Sequence, residues 1–244
     1  MNRQSVSDNQ TFDKYIVSRS NIKAYTACID LINNPGGQFI ALYGANSYGK
    51  SHLLHATRNT FGIRYPTLTI KFTNYDDLIS QYMYALHEGT HNAFVDELIK
   101  TDLLIIDNMQ FVGGKNAIQE EIANWINRMV IAGKIVVIAF DRPIKHYDTL
   151  LRIVRANNAD KCKVIEIKSS DCALKKKYLK RLLNEHQMDF PFIIKKYLVC
   201  SQKLTLSAMN GFLHKCLLLE KQKGTKLTIS EIKNCLSCYI HKEA

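Results

Sequence analysis

The stretch Gly44-Ala45-Asn46-Ser47-Tyr48-Gly49-Lys50-Ser51 decides the fold of this 244-residue chain. It matches the pattern G-x-x-x-x-G-K-[ST] at every defined position, between an apolar run at 38–43 and a helical pattern that begins near Lys50. The two glycines let the backbone wrap closely around phosphate groups, and the amides at the start of the helix then face the anion. The stretch therefore predicts a phosphate-binding loop in an α/β protein that binds a nucleotide.

Individual positions of this loop have separate predicted roles. Lys50 is expected to reach the β- and γ-phosphates, and the hydroxyl of Ser51 to ligate Mg²⁺. The other predicted nucleotide-binding residues in this stretch are Gly44, Asn46, Ser47, Tyr48, Gly49 and His52. The competing interpretation is a chance match in a glycine-containing turn, and the strand before the loop and the helix after it weigh against that.

Apolar runs alternate with helical patterns over the first two thirds of the chain. Runs at 38–43, 67–72, 102–107, 134–140 and 163–168 predict five strands. Strands that alternate with helices indicate a mostly parallel sheet covered on both faces. Beyond about residue 169 no such run interrupts the helical patterns. We therefore expect an α/β domain over 1–168 and a small all-helical domain over 169–244.

Polar side chains follow two of the predicted strands. Asp107 ends the third strand, where a carboxylate is the expected second support for Mg²⁺. Asn108 comes next, and an amide cannot take a proton from water, so hydrolysis should be slow if the chemistry needs a carboxylate there. Asp141 follows the fourth strand, at the edge where ligands bind in open α/β sheets. Asp141 has two equal alternatives. It either orients a water or senses the γ-phosphate, or it merely caps a loop before Pro143.

Positive charge is a general feature of the chain, whose formal net charge is +11. Such a balance fits a partner with phosphates or an acidic protein, without proving contact with DNA. Arg152 and Arg155 lie on a predicted helix, where an arginine either acts on a neighbouring molecule's nucleotide or belongs to a solvated face.

The amino terminus is polar and no apolar run reaches about 18 residues. We therefore expect no membrane span and a cytoplasmic location.

Four ordered motifs resemble the AAA+ domain of the DnaA family. They are Thr11-Phe-Asp-Lys-Tyr-Ile-Val with Asn21 and Tyr25, Lys50-Ser-His-Leu-Leu-His-Ala56, Leu104-Ile-Ile-Asp-Asn-Met-Gln-Phe-Val-Gly-Gly-Lys115, and Asp141-Arg-Pro143. The resemblance implies an AAA+ P-loop NTPase core with a parallel five-stranded sheet, a small helical lid, and ATP or ADP with Mg²⁺ as cofactors.

The resemblance also assigns residues to the site. It implies that an entry segment lies near the adenine, with candidates Phe12, Asp13, Tyr15, Val17 and Asn21. It places Asp107 and Asn108 at the Walker B position and Asp141 at sensor 1. The family's arginine finger falls near Asn157, one or two residues from Arg155, and its sensor-2 arginine falls at Ser207. The chain thus lacks an arginine at both of these positions, and it has Asn108 where DnaA has an acid. These three differences from the family indicate weak hydrolysis.

A core with a lid, without room for a helix-turn-helix or an oligomerisation domain, resembles the Hda regulators of the DnaA family, which help switch DnaA to its ADP form. The implied partner is DnaA itself. Docking on a sliding clamp does not follow, because neither Gln4 nor Gln10 is followed by the required apolar residues. Contact with DNA through the basic surface and a homo-oligomer stay open. The alternatives are an ATPase like the helicase loaders DnaC and IstB, or an AAA+ module that binds single-stranded DNA.

Overall fold

The computed structural model describes residues 10–141, 144–202 and 204–240. Within these ranges strands and helices alternate first, and helices alone follow. The elements are α1 (Ile22–Asn33), β1 (Gln38–Tyr43), α2 (Lys50–Arg64), β2 (Ile70–Asn74), α3 (Tyr75–His87), α4 (His91–Lys100), β3 (Leu103–Asp107), α5 (Asn116–Ile131), β4 (Ile135–Phe140), α6 (Asp148–Asn157), β5 (Cys162–Glu166), α7 (Cys172–Glu185), α8 (Phe192–Cys200), α9 (Leu206–Lys223) and α10 (Ile229–Ile240).

The five strands form one sheet in the order β2-β3-β4-β1-β5, and every neighbouring pair is parallel. This confirms the predicted five-stranded parallel sheet. Phe39 and Ala41 of β1 join a core cluster that also contains Trp125 of α5 and Leu151 of α6. Because successive strand residues point to opposite faces, the buried Ile40 of β1 faces the other side of the sheet. The sheet is therefore covered on both faces, as a parallel sheet requires.

Three elements differ from the sequence patterns. The second strand begins at Ile70 and not at residue 67, because Leu68 lies in a turn and Thr69 is held by the side chain of Asp102. Helices α1 and α4 were not predicted. Helix α4 buries Val95 and Leu98, and Phe94 and Ile99 pack beside them on the same core, so its apolar residues recur at helical spacing.

The helices α7 to α10 have a core of their own, which includes Leu198, Met209, Phe212 and Leu213. Asp171 caps α7 by accepting a hydrogen bond from the backbone amide of Leu174 at 2.7 Å. The hydroxyl of Thr205 caps α9 by accepting one from the amide of Ala208 at 3.1 Å.

The described residues divide into two compact units. The first contains residues 10–15 and Asn21–Lys168, and the second contains Ile16–Ser20 and the residues from Ser169 onward. The short segment Ile16–Ser20 thus groups with the helices that follow it much later in the chain. A domain boundary at residue 168 stays a prediction. None of the helices in the described ranges combines the length and apolar composition that crossing a bilayer requires.

Candidate nucleotide-binding site

The carboxyl ends of three neighbouring strands bring the predicted site together within the first unit. The phosphate loop follows β1, Asp107 ends β3, and Asp141 follows β4, which lies between the other two strands. Parallel strands end at the same edge of a sheet, and ligands of open α/β sheets bind at that edge. Three groups that lie far apart in sequence therefore meet at one edge.

The loop backbone has the conformation that anion-binding loops use. Ser47 and Gly49 adopt positive φ angles of 64° and 89°, and α2 begins at the next residue, Lys50. Gly49 precedes the helix and has no side chain with which to cap it, so the first-turn amides remain available to an anion. A Cβ at Gly44 would lie 2.3 Å from the carbonyl oxygen of Ile167, so only glycine fits there.

The other side chains of the loop are accessible. Asn46, Ser47 and Ser51 are exposed, and Tyr48 is half-buried beside Gly44. Ser51 lies in the first turn of α2, directly after Lys50. Its side chain is therefore accessible at the start of α2.

Lys50 is buried at the centre of this arrangement, with 8% of its surface exposed. Its ammonium group donates hydrogen bonds to the carbonyl oxygens of Gly44 at 2.6 Å and Ala45 at 3.0 Å. Burial lowers the pKa of Lys50, and the carboxylates of Asp141 and Asp107 oppose that effect. A cation held by neutral carbonyls is ready to exchange them for charged phosphate oxygens, which are stronger acceptors.

Asp107 and Asn108 form a tight turn at the end of β3. Oδ1 of Asp107 accepts a hydrogen bond from the backbone amide of Asn108 at 2.8 Å, which fixes the carboxylate. Asn108 has a φ of 57°, a left-handed conformation that Asn and Asp tolerate better than most residues. Its side chain is exposed. The turn thus presents one carboxylate and one amide at the site.

The Asp141 carboxylate lies in a partly buried position after β4. Its Oδ1 is buried and has no hydrogen-bond partner within the described part of the chain. A buried oxygen of this kind is costly unless a donor reaches it. Arg142 and Pro143, which accompany Asp141 in the sequence motif, lie outside the described residues.

The entry segment packs against the loop and the first turns of α2. The ring of Tyr15 lies against Gly49, where an added Cβ would be 3.1 Å from the ring carbon Cε2. Tyr15 also meets His52 edge-on, with ring centroids 5.2 Å apart, and Nε2 of His52 is 2.9 Å from the carbonyl oxygen of Thr11. Phe12 and Asn21 are buried. Burial raises the pKa of Tyr15, so its phenol stays neutral.

Two of the predicted site residues, Val17 and Arg155, make their described contacts with other parts of the chain than the phosphate loop. Val17 belongs to the segment that groups with the second unit, where its carbonyl oxygen accepts a hydrogen bond from Lys177 at 3.4 Å. Arg155 is exposed on α6, and its side chain hydrogen-bonds the thiol of Cys162. Its charge also lowers the pKa of Tyr43, against the larger effect of burial, which raises it. Arg155 therefore interacts with strands of its own chain.

The sequence patterns did not single out His55, which lies near Asp107. Burial lowers the pKa of His55, the charge of Arg58 lowers it further, and Asp107 raises it. Its ring stacks on Phe72 with centroids 4.4 Å apart. The spacing of four residues from Ser51 places both on one face of α2, which is the signal that could have indicated it.

Gln119 is a second residue that the patterns did not indicate. It is buried in α5, and its Nε2 donates to the carbonyl oxygens of Val112 at 3.3 Å and His146 at 3.1 Å. Its Oε1 accepts from the backbone amide of Leu150 at 3.2 Å. One side chain thus joins the segment that follows Asp107 to the segment that follows Asp141.

The fold and loop define the class of P-loop α/β proteins with the AAA+ arrangement of strands. The family model of the bacterial DnaA ATPase domain matches residues 6–158 of the chain. The chain belongs to this DnaA family. It is similar to the chromosomal replication initiator protein DnaA of Thermus thermophilus, at 24% identity over 237 residues, which covers 96% of this chain and 54% of that protein. The chain therefore spans about half the length of this curated relative.

Solved structures agree on the fold. Domain III of the Thermotoga maritima replication initiation protein DnaA matches with a TM-score of 0.82 at 23% identity, covering 96% of this chain and 98% of that one. AMPPCP-bound DnaA from Aquifex aeolicus matches with a TM-score of 0.74 at 25% identity, covering 92% of this chain and 69% of that one. A DnaC helicase loader matches more weakly, with a TM-score of 0.54 at 16% identity, over 67% of this chain and 99% of that one.

Proposed function

We propose that this chain is a regulator of bacterial replication initiation of the Hda type, which binds ATP or ADP with Mg²⁺ and contacts DnaA through an AAA+ surface. The observation that carries the proposal is the loop Gly44–Ser51, with its buried Lys50 beside two carboxylates. Family membership supports the replication context. The AMPPCP in the Aquifex aeolicus structure supports an adenine nucleotide as ligand.

The donor groups at the sheet edge fit a nucleotide with its metal ion. Lys50 and the first-turn amides of α2 would hold the phosphates. The hydroxyl of Ser51 and the carboxylate of Asp107 would hold Mg²⁺, which prefers oxygen ligands. Asp141 would orient a water that faces the γ-phosphate, because its Oδ1 is buried without a partner in the described residues and can accept a hydrogen bond from that water.

The adenine end would lie beside the entry segment. Phe12 and Tyr15 are buried against α1 and α2, and Tyr15 touches both Gly49 and His52. An aromatic and amide-lined wall next to a phosphate loop suits a purine ring and its sugar. Asn21, which is buried, supplies the polar group of this wall.

Slow turnover is proposed because no side chain at the end of β3 can act as a general base. Oδ1 of Asp107 accepts the amide of Asn108 and the carboxylate is assigned to Mg²⁺, and Asn108 itself is an amide. Arg155 already interacts with Cys162 and Tyr43 of its own chain. A protein that holds a nucleotide and hydrolyses it slowly serves better as a switch than as a motor.

Direct titration with a fluorescent ATP analogue tests the nucleotide claim. Lys50→Ala should lower the affinity at least ten-fold in the presence of Mg²⁺, because it removes the buried charge that faces the phosphates. Lys100→Ala, at the exposed end of α4, is the matched control and should bind as the unchanged chain does. Equal affinity in Lys50→Ala and the unchanged chain would refute the loop assignment.

A mixing experiment tests the regulatory claim. The chain is added to DnaA of the same host, and ATP hydrolysis is measured with and without sliding clamp and DNA. The Hda-like proposal expects DnaA-dependent hydrolysis to rise, and to rise less with Lys50→Ala. No stimulation, together with fast turnover by the chain alone, would favour a loader-like ATPase. No stimulation with salt-sensitive binding of single-stranded DNA would favour a DNA-binding module.

A further inference from the structure

An apolar groove lies between α7 and α8 in the second unit. It encloses about 520 Å³, and aliphatic side chains form its floor. Leu179 and Leu183 of α7 are buried beneath it, and Met188 and Val199 are half-buried in its wall. The ring of Phe192, at the start of α8, is 78% exposed beside it. An accessible aliphatic surface with an exposed aromatic ring is costly to leave in water.

Four lysines line this groove. They are Lys176 and Lys180 of α7 and Lys195 and Lys196 of α8. Lys195 is paired with Asp189, and the other three make no ion pair within the described part of the chain. The rim therefore carries an excess of positive charge, and its lysine stems extend the apolar surface of the floor.

The chemistry of the groove favours a peptide over a nucleic acid. Single-stranded nucleic acids are gripped by basic grooves whose aromatic rings stack on successive bases. Here the floor is aliphatic and Phe192 is the one aromatic side chain that lines the described groove. Grooves between helices instead accept amphipathic helices, whose apolar side chains recur at three- and four-residue spacing. Methionine adapts to such partners.

We propose that this groove docks an acidic amphipathic helix of a partner protein, with its apolar face on Leu179, Leu183 and Val199 and its carboxylates against Lys176, Lys180 and Lys196. The positive charge of the lysine rim is complementary to the negative charge of such a helix. The volume of the groove suits about two or three apolar side chains. This docking does not depend on nucleotide or on the proposed regulatory role.

The probe for the test is a fluorescein-labelled synthetic peptide of sixteen residues, with Leu at positions that form one helical face and Glu elsewhere. Its binding to the full chain is followed by fluorescence anisotropy at two salt concentrations. The proposal expects saturable binding that weakens as salt rises. A scrambled peptide of the same composition, which has the same charge but no apolar face, should bind at least ten-fold more weakly.

Two variants localise the binding. Lys176→Glu with Lys180→Glu should weaken binding at least ten-fold, because two attractive rim charges become repulsive. Phe192→Ser should weaken it several-fold with little change in salt dependence. Both side-chain sets are exposed, so the fold should survive, and urea unfolding checks this. Lys221→Glu with Lys233→Glu, exposed elsewhere on the second unit, makes the same charge change and should leave the affinity within two-fold.

Three outcomes would overturn the proposal. Equal binding of the designed and scrambled peptides would show attraction by charge alone. Equal loss in the two charge-reversed pairs would show that the groove is not the site. Tighter binding of an oligothymidylate or of anionic vesicles than of the peptide, lost in Lys176→Glu with Lys180→Glu, would assign the rim to nucleic acid or lipid instead.

Discussion

Directly after β3, Asn108 places an amide next to the carboxylate of Asp107. An acid at position 108 would give the site two adjacent carboxylates. Asn108 is exposed, and its left-handed backbone suits Asp equally well. Its amide hydrogen bond to Asp107 comes from the backbone, so a change of side chain leaves that bond in place. The side chain at position 108 can therefore be tested without disturbing the turn.

Asn108→Asp should raise the intrinsic rate of ATP hydrolysis by roughly 10²-fold, because a carboxylate can accept a proton from the attacking water. Phosphate release at saturating Mg²⁺ and ATP measures this. Asn108→Ala is the control for loss of the amide alone and should leave the rate unchanged. An unchanged rate in Asn108→Asp, with nucleotide affinity intact, would mean that turnover is limited elsewhere.

Site residues whose roles depend on their neighbours in sequence could be predicted. Those whose roles depend on contacts between distant parts of the chain could not. The loop Gly44–Ser51 is local, so its motif predicts both its backbone and its position before α2. The partners of Gln119 are separated from it by up to 31 residues, and the position of His55 beside Asp107 depends on how α2 crosses β3. No spacing in a single sequence encodes such contacts.

At the scale of elements, the loops after β3 and β4 depend on α5. Gln119 hydrogen-bonds backbone groups on both sides, at Val112, His146 and Leu150. These bonds join the segments that follow the two carboxylates, Asp107 and Asp141. They connect the core of the first unit to the geometry of the candidate site.

Gln119→Leu should lower the free energy of unfolding by about 2–4 kcal/mol, because it leaves buried backbone groups without partners. It should also weaken nucleotide binding, since both carboxylate segments lose a common support. Urea unfolding and the fluorescent nucleotide titration measure the two effects. Gln38→Leu, at the half-buried start of β1, makes the same side-chain change and should alter neither the stability nor the nucleotide affinity by much. A stable Gln119→Leu chain with normal affinity would contradict the supporting role.

Asp102 joins the starts of three strands. Its carboxylate accepts hydrogen bonds from Lys134 at 2.7 Å and from the amide and hydroxyl of Thr69 at 2.8 and 2.9 Å. Burial alone would raise the pKa of Asp102, but the bonds from Lys134 and Thr69 outweigh it and the pKa is lowered. A carboxylate whose folded pKa is lowered stabilises the fold above its unfolded pKa of about 3.9, and loses that contribution as the pH falls through the folded pKa.

Asp102→Asn should therefore cost roughly 1–2 kcal/mol of unfolding free energy at pH 7, and less at pH 3. Urea unfolding of both chains at the two pH values gives the difference. Asp96→Asn, whose ion pair with Arg128 is exposed, should show a smaller effect at pH 7. A difference that grows as the pH falls would contradict the lowered pKa of Asp102.

The pattern of strands was predictable because buried parallel strands are short apolar runs, and β1, β3 and β4 are such runs. The start of β2 was not, because Thr69 is fixed by Asp102, 33 residues away. Helix α4 carries apolar residues at 94, 95, 98 and 99, so its helical spacing is present in the sequence although the patterns did not single it out. Long-range pairing thus accounts for the misplaced start of β2 and not for the missed α4.

At the scale of the whole molecule, two units with separate cores share one chain, and the loop lies in the first. A ligand that binds only the folded first unit should stabilise it by about 2.7 kcal/mol at a concentration one hundred times its Kd. The second unit, whose core lies among α7 to α10, contributes no residue of the loop or of the two carboxylate segments.

Mg²⁺ with ATP should therefore slow amide hydrogen exchange most in β1 and α2, and least in α9 and α10. Mass spectrometry of peptic fragments measures this. The Lys50→Ala chain under the same conditions should show no such slowing. Protection that is confined to α7 to α10, or equal in Lys50→Ala, would place the ligand elsewhere.

The segment Ile16–Ser20 is synthesised early, but its packing partners in the second unit are synthesised late. Val17 accepts its hydrogen bond from Lys177, 160 residues further along the chain. A ribosome adds about 5–20 residues per second, so this early segment waits roughly 8–30 seconds for its partner helix to emerge. During that interval the sheet around the loop can assemble while the segment is still unmatched. Synthesis in chain order thus lets the first unit fold before the second, whose packing is complete only when the segment Ile16–Ser20 meets the helices made last.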